Sequence, residues 1–245
     1  MVGAVTFDFH NTLAQCEAWF ELEVRRLVSA FLRWQAAEGG DEPDAETVAE
    51  ADAAYRRLRE AIVVDGRELP AEACVARVLT ELGLPVDGPA IERGVEALMR
   101  GTLAEARPVP GAIETVRALR REGVTLGVIS SAVYHPFLEW TLDGFGVRGE
   151  FAAVVTSASA GFYKSRPELY RNALGEMGAA PERSVHVGDS YRFDVGGAGN
   201  AGLATVWLRP DPARSPDGGP SPDLTLASLD ESAPLILGLL RSRAG

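Results

Sequence analysis

Four places in the sequence hold residue types that do chemistry, and three of them directly follow a short apolar run. The run Ala4-Val5-Thr6-Phe7 delivers Asp8 and is followed by the turn-forming His10-Asn11-Thr12. A second run delivers Ser130 and Ser131, and a third delivers Gly188-Asp189-Ser190, with Asp194 close behind. Between them stands Lys164, the one lysine among 24 basic residues. It is either a chance survivor in an arginine-favouring composition or a position where a compact ammonium fits and a planar guanidinium does not. Read singly, an aspartate at a strand end is a cap or turn residue and Ser130 a helix N-cap. Read together, a carboxylate nucleophile, a hydroxyl, an ammonium and two further acids suit a displacement at a charged centre.

These groups can cooperate only if the strands that carry them end on one rim. From Cys16 to Arg107 the apolar spacing is helical: Phe20, Val24, Leu27, Val28 and Phe31 before Gly39-Gly40, then Val48 to Ile62, then Pro70 to Gly83, then Ile91 to Met99. After Pro108-Val109-Pro110-Gly111 the pattern alternates. It predicts helix 112–122, strand 124–130, helix 134–144, strand 151–155, helix 167–177, strand 184–188, a short helix near 195–200 and strand 203–208. Such alternation predicts a parallel sheet covered by helices. The stretch Arg209 to Asp223, rich in proline, reads as a surface loop, and Leu224 to Leu229 as an edge strand before a last helix. In open sheets of this kind ligands bind beyond the carboxyl ends of the strands, where Asp8, Ser130, Lys164, Asp189 and Asp194 fall.

Composition bounds the rest. With 245 residues, 46% hydrophobic and 24% charged, the chain reads as a globular protein. It shows no membrane-length apolar run and no basic residue before Arg25 to start a signal peptide, so a cytoplasmic location is expected. Cys16 and Cys74 read as reduced thiols packed as small hydrophobes. A net charge of -11 argues against nucleic acid and anionic membrane as partners. Residues 14–106 hold 19 acids against 10 arginines, a net of -9; most of these charges belong on a solvated face.

Taken in order, Phe7-Asp8-Phe9-His10-Asn11-Thr12-Leu13, Val128-Ile129-Ser130, Lys164 with Pro167 and Tyr170, and Val187-Gly188-Asp189-Ser190 through Asp194 to Gly202 resemble the four motifs of the haloacid dehalogenase (HAD) superfamily of hydrolases, in its phosphatase-like branch. The resemblance covers nearly the whole chain. It implies an α/β fold, a Rossmann-like three-layer parallel-sheet core from residues 1–14 and 107–245, and an all-α helical cap from 15–106. It implies that Asp8 attacks phosphorus, that Mg²⁺ is held by Asp8, the backbone carbonyl of His10 and Asp189, with Asp194, and that Lys164 offsets the gathered charge. Ser130, with Ser131 and Asn11, falls to the substrate. Ser165 departs from the proline usual after the motif lysine.

The larger departure is His10, which stands where phosphatases and phosphomutases of the family carry a second aspartate as acid and base. Histidine performs both proton transfers in principle; the alternative is a histidine that fills space, in a slow enzyme or a non-catalytic phosphate- and Mg²⁺-binding protein. A phosphonatase would need a cap lysine, and this cap has none. A haloacid dehalogenase shares a non-Asp residue at position 10 but lacks the Gly188-Asp189-Ser190 type of motif. The expected activity is hydrolysis of a small phosphate monoester. His135 is expected at the surface and His186 as buried scaffold, while Trp19 and Phe20 belong to the cap core or the pocket wall. Oligomeric state is not read from this sequence.

Overall fold

The computed structural model describes residues 3–208 and 219–243. Strand β1 (Ala4–Phe7) leads into a two-residue strand, β2 (Ala14–Gln15), whose antiparallel partner β3 (Arg107–Pro108) returns only after five helices. Those helices are α1 (Glu17–Glu21), continuing through a π-helical turn at Leu22–Arg26 into α2 (Leu27–Ala37), then α3 (Ala45–Asp65), α4 (Ala71–Glu81) and α5 (Gly88–Thr102). The chain then alternates α6 (Ala112–Arg121), β4 (Thr125–Ser130), α7 (His135–Gly144), β5 (Ala153–Thr156), α8 (Ser157–Ala160), α9 (Pro167–Glu176) and β6 (Ser184–Gly188). It ends with α10 (Ala198–Asn200), β7 (Ala204–Leu208), β8 (Leu224–Leu226) and α11 (Ala233–Ser242).

Six strands form one parallel sheet in the order β5-β4-β1-β6-β7-β8. Its central strands are buried on both faces because helices cover both. Val5, Phe7, Val128 and Val187 pack on one side with α6, α7 and α11, and Ile129 and Val155 on the other with Leu169, Tyr170 and Leu174 of α9. The helical insert has local start and stop signals of its own. Asp44 caps α3 by accepting from the Thr47 N–H at 2.8 Å, and the helix ends at Gly66 in the left-handed region (φ 76°). The stripe Ala51, Ala54, Tyr55, Leu58 and Ile62 is buried against its neighbours.

Some boundaries move. Strand β5 starts at 153, not 151, because a 3₁₀ turn at Arg148–Glu150 still occupies the approach. The helix expected at 195–200 winds instead from Tyr191 through a π-helical turn to Gly197, so that Asp194 lies inside it. The edge strand is confined to Leu224–Leu226. Of the proline-rich stretch, residues 209–218 lie outside the described residues. Cys16 and Cys74 are buried and unbridged, and no helix among the described residues is long and apolar enough to cross a membrane.

Gly94 of α5 lets that helix lie close to α2: an added Cβ would stand 2.6 Å from Trp34 and 2.7 Å from the buried Phe31. Gly94→Ala should therefore destabilise by ~1–3 kcal/mol, seen as a lower urea midpoint. Gly101→Ala, on the same helix with open space around it, should leave stability equal or raise it by up to ~1 kcal/mol.

Candidate active site

Strand β1 lies between β4 and β6, with Phe7 opposite both Val128 and Val187. The residues just past these three adjacent strands therefore meet at one rim, at the point where the chain crosses from one side of β1 to the other. The Asp8 N–H donates to the Val187 carbonyl at 2.8 Å, and the carbonyl of Phe9 accepts from the N–H groups of Leu13 and Ala14 at 2.9 Å each. Asn11 turns the loop in the left-handed region (φ 59°), which asparagine tolerates, and its side chain hydrogen-bonds Asp189. Gly188 is needed for a different reason: a Cβ there would lie 2.2 Å from the Asp194 carboxyl carbon.

The Lys164 ammonium donates to Asp8 Oδ1 at 2.5 Å and to Asp194 Oδ1 at 2.6 Å, all three groups being buried. Asp194 also accepts from the Ser190 N–H through Oδ2 at 2.8 Å and meets His186 Nε2 through Oδ1 at 3.1 Å. An ionised Asp194 can only accept, so His186 carries its proton on Nε2, and Nδ1 accepts from the Thr6 hydroxyl at 2.9 Å. Burial penalises Asp194, yet Lys164 and the His186 bond outweigh it and hold the carboxyl below the usual range. Burial likewise opposes the Lys164 charge, and Asp194 and Asp8 overcome it, keeping the ammonium well above its ordinary range. Asp8 is different. Burial and the neighbouring Asp194 and Asp189 push it up further than Lys164 pulls it down. Burial and Asp194 also raise Asp189, to about 6.

One ammonium thus faces three carboxylates whose oxygens lie within 4.8 Å of one another. That surplus of negative charge and hard oxygen donors fits a divalent cation of the Mg²⁺ type. Asp194 already meets Lys164 and His186 through Oδ1 and the Ser190 N–H through Oδ2, which makes Asp8 and Asp189 the less engaged of the three carboxylates.

The Lys164 loop is strapped to the helical insert. Residues 66–68 run antiparallel to 161–163, with Glu68 N–H donating to Gly161 O and Tyr163 N–H to Gly66 O, both at 3.0 Å. Ser165, in place of proline, donates to the Val63 carbonyl at 3.3 Å.

The insert closes over the strand ends to leave a cavity of about 640 Å³. Asp8, His10, Asn11, Ser130, Ser131, Lys164 and Asp189 all line it. Trp19 and Phe20 line it too: His10 stacks on Phe20 at 4.3 Å, and Trp19 stacks on Phe137 of α7 at 4.8 Å. Burial lowers the His10 pKa, opposed by Glu17, whose carboxylate is 3.8 Å from Nε2. His135 lies outside the lining and meets Thr156 and Glu139. From residues 14–106 the lining takes Arg25, Arg56 and Arg59 against Glu23 and Glu60, so the acid excess of that segment is turned to solvent. The Thr6–His186–Asp194 chain and the 66–68 strap escaped sequence reasoning. A histidine in an apolar strand three residues before an acidic turn was the available signal for the first; the second pairs loops and leaves none.

Lys164→Met should destabilise the metal-free protein by ~3–5 kcal/mol in urea unfolding, because it strands the buried carboxylates of Asp8 and Asp194 beside a half-buried Asp189. Asp8→Asn removes one member of an overcrowded set, keeps an oxygen for Lys164, and should cost less or stabilise. The sign with pH follows: a carboxyl held above its ordinary value in the fold favours the native state in acid and opposes it as pH rises, so the advantage of Asp8→Asn over wild type should grow toward alkaline pH.

A family model described as haloacid dehalogenase-like hydrolase matches residues 2–202. A glyceraldehyde 3-phosphate phosphatase of Methanothermobacter thermautotrophicus is 30% identical over 208 residues, covering 84% of this chain and 85% of its own. Its namesake in Pyrococcus furiosus is 31% identical over 214 residues, covering 85% and 81%. A 2-haloacid dehalogenase from Pseudomonas syringae pv. Tomato superposes with a TM-score of 0.73 at 23% identity over 98% of this chain and 99% of that one, a likeness of fold. With its motif residues gathered at the strand ends and the family match spanning most of the chain, this protein belongs to the haloacid dehalogenase-like hydrolases.

Proposed function

We propose that the protein is a Mg²⁺-dependent phosphatase that hydrolyses a small phosphate monoester through an aspartyl-phosphate, in the cytoplasm, with residues 15–106 acting as a cap over a core of 1–14 and 107–245. The observation that carries this reading is the Lys164 ammonium bridging Asp8 and Asp194 beside Asp189 in a cavity at the strand ends. Relatives named glyceraldehyde 3-phosphate phosphatase and phosphoserine phosphatase support it.

Asp8 attacks phosphorus, the bond to the ester oxygen breaks, and the departing alcohol takes a proton from His10. Water then attacks the aspartyl-phosphate, His10 takes its proton, and inorganic phosphate leaves with Asp8 restored. Lys164 favours the ionised form of Asp8, to which a bound cation would add, and offsets the phosphoryl charge, while Ser130, with Ser131 and Asn11, donates to phosphoryl or substrate oxygens. Asp8, Asp189 and the His10 carbonyl would hold Mg²⁺, which when bound supplies positive charge beside the phosphoryl oxygens. Asp194 is assigned to fixing Lys164 instead. Burial favours neutral His10, the form the second step needs, and a bound phosphate dianion favours the protonated form the first step needs.

Phosphate release from phenyl phosphate should require Mg²⁺ and fall to background in Asp8→Asn with circular dichroism unchanged. Halide release from a 2-haloacid in chelator, with no phosphate release from any ester, would sink the reading. His10→Ala should lose on the order of 10²-fold in kcat/KM with an alkyl phosphate and much less with phenyl phosphate, whose leaving group needs no proton. Equal losses would remove His10 from the acid role.

A further inference from the structure

Glu23 is a buried carboxylate that the chemistry above does not use. It sits in the π-helical turn Leu22–Arg26 at the cavity wall. Such turns distort the helical hydrogen-bond ladder and occur mostly where a side chain is re-aimed for use. Here the distortion is supported, since the buried Tyr55 hydroxyl donates to the Glu23 carbonyl at 2.7 Å. One carboxylate oxygen is fixed: Oε1 accepts from the Val133 N–H at 2.6 Å, just past Ser130 and Ser131. The other, Oε2, is buried with no hydrogen-bond partner.

The nearest cation does not fill the gap. Arg59 lines the same cavity, but its guanidinium is joined to Glu68 by two bonds, at 2.5 and 3.1 Å, and Glu68 also accepts from Ser157 and the Leu69 N–H. Burial pushes Glu23 up to about 8 against the pull of Arg59 and the Val133 N–H, so the unfilled wall favours the neutral acid, and a donor brought to Oε2 is what would hold the group as a carboxylate. Ring contacts with Phe20 and Trp19 surround His10 with apolar surface, and among the polar groups that residues 14–106 bring to the lining, Glu23 is the one bonded to the loop just past Ser130 and Ser131 and left with a buried, unpartnered oxygen at the cavity wall.

We infer that Glu23 is a specificity-determining residue: its free carboxylate oxygen accepts a hydrogen bond from the leaving alcohol, selecting phosphate esters whose alcohol carries a second donor, a hydroxyl or an ammonium. The inference rests on the phosphatase reading and names its substrate class. A plain alkyl ester leaves Oε2 unpaired on closure, and a site built to hold a donor discriminates against analogues that lack it.

The test compares kcat/KM for propyl phosphate, glycerol 3-phosphate and ethanolamine phosphate in wild type and Glu23→Gln. Glutamine keeps an oxygen for the Val133 N–H and replaces the free acceptor with a donor of the same shape. Wild type should prefer the two donor-bearing esters by about tenfold or more, and Glu23→Gln should lower that preference by about tenfold. A loss confined to ethanolamine phosphate assigns an ammonium, and a loss with both esters assigns any donor. Unchanged ratios, or one equal fall across all three, would show that Glu23 serves only to dock the insert and overturn the inference. Should Glu23→Gln not fold, competitive inhibition of the wild type by glycerol and ethanolamine against propanol, with inorganic phosphate present, reads the same preference. Hydrolysis of none of the esters defeats the phosphatase reading itself; hydrolysis with a flat preference leaves that reading standing and defeats this one.

Discussion

The rim of this sheet is organised by one buried ammonium shared between two carboxylates. Three aspartates meet at the ends of adjacent strands, and without Lys164 their mutual repulsion and lost hydration would have no counterpart inside the fold. Each partner constrains a different part of the chain. Asp8 is delivered by the central strand, Asp194 by the π-helical turn after β6, and Lys164 by a loop that crosses above both. The pair geometry in turn needs Gly188, where any side chain would collide with the Asp194 carboxyl, and His186, whose proton takes up the remaining capacity of Asp194 Oδ1. A guanidinium in place of the ammonium would bring five fixed donors to a space shaped for three.

The consequence is a division between Asp194 and the other two acids. Asp194 is saturated by neighbours of fixed position, so its charge is settled. Asp8 and Asp189 are not, and both are held above their ordinary range by burial and by the charge of Asp194, with Asp189 adding to the shift of Asp8. A site in that condition gains from any added positive charge, so on the proposed reading a bound cation would relieve the acids and keep Asp8 ionised and able to attack.

Much of this was legible in the sequence because it is local. Short apolar runs ending in Asp8, Ser130 and Asp189 placed the strand ends, and a lone lysine marked its own position. Helices alternating with strands predict a parallel sheet, and the six-stranded parallel sheet bears this out, while its order, with β1 between β4 and β6, is set by packing and not by the alternation. What stayed hidden is non-local or depends on phase. The placement of Asp194 inside a π-helical turn could not be read from periodicity, since such a turn breaks the spacing that a regular helix would show. The strap between 66–68 and 161–163 joins two loops with no pattern in either. The charge of residues 14–106 was misleading as a total, because the arginines at 25, 56 and 59 face the cavity while most of the acids face water.

That strap also bears on how substrate enters. The insert is tied to the sheet by the backbone bonds Glu68–Gly161, Gly66–Tyr163 and Ala71–Val133 and by the Glu23 carboxylate on the Val133 N–H. Each would be exchanged for a bond to water on opening, at a net cost of about 0.5–1.5 kcal/mol, so full separation would cost on the order of 2–6 kcal/mol before the apolar contacts of Trp19 with Phe137 are counted. An insert held that firmly stays seated on the sheet, and the bonds that hold it run to the Lys164 loop and to the residues just past Ser130. Any opening wide enough to admit substrate therefore disturbs the phosphate end as well, and closure restores both together. On the proposed reading, the sheet would supply the groups that act on phosphorus and the insert the wall that faces the alcohol. Because the 66–68 strap and the Glu23 bond join the insert to the loops that carry Lys164 and follow Ser130, a poorly seated alcohol would weaken the alignment of Lys164, and discrimination at the insert would be expressed in the rate of the chemical step and not in binding alone.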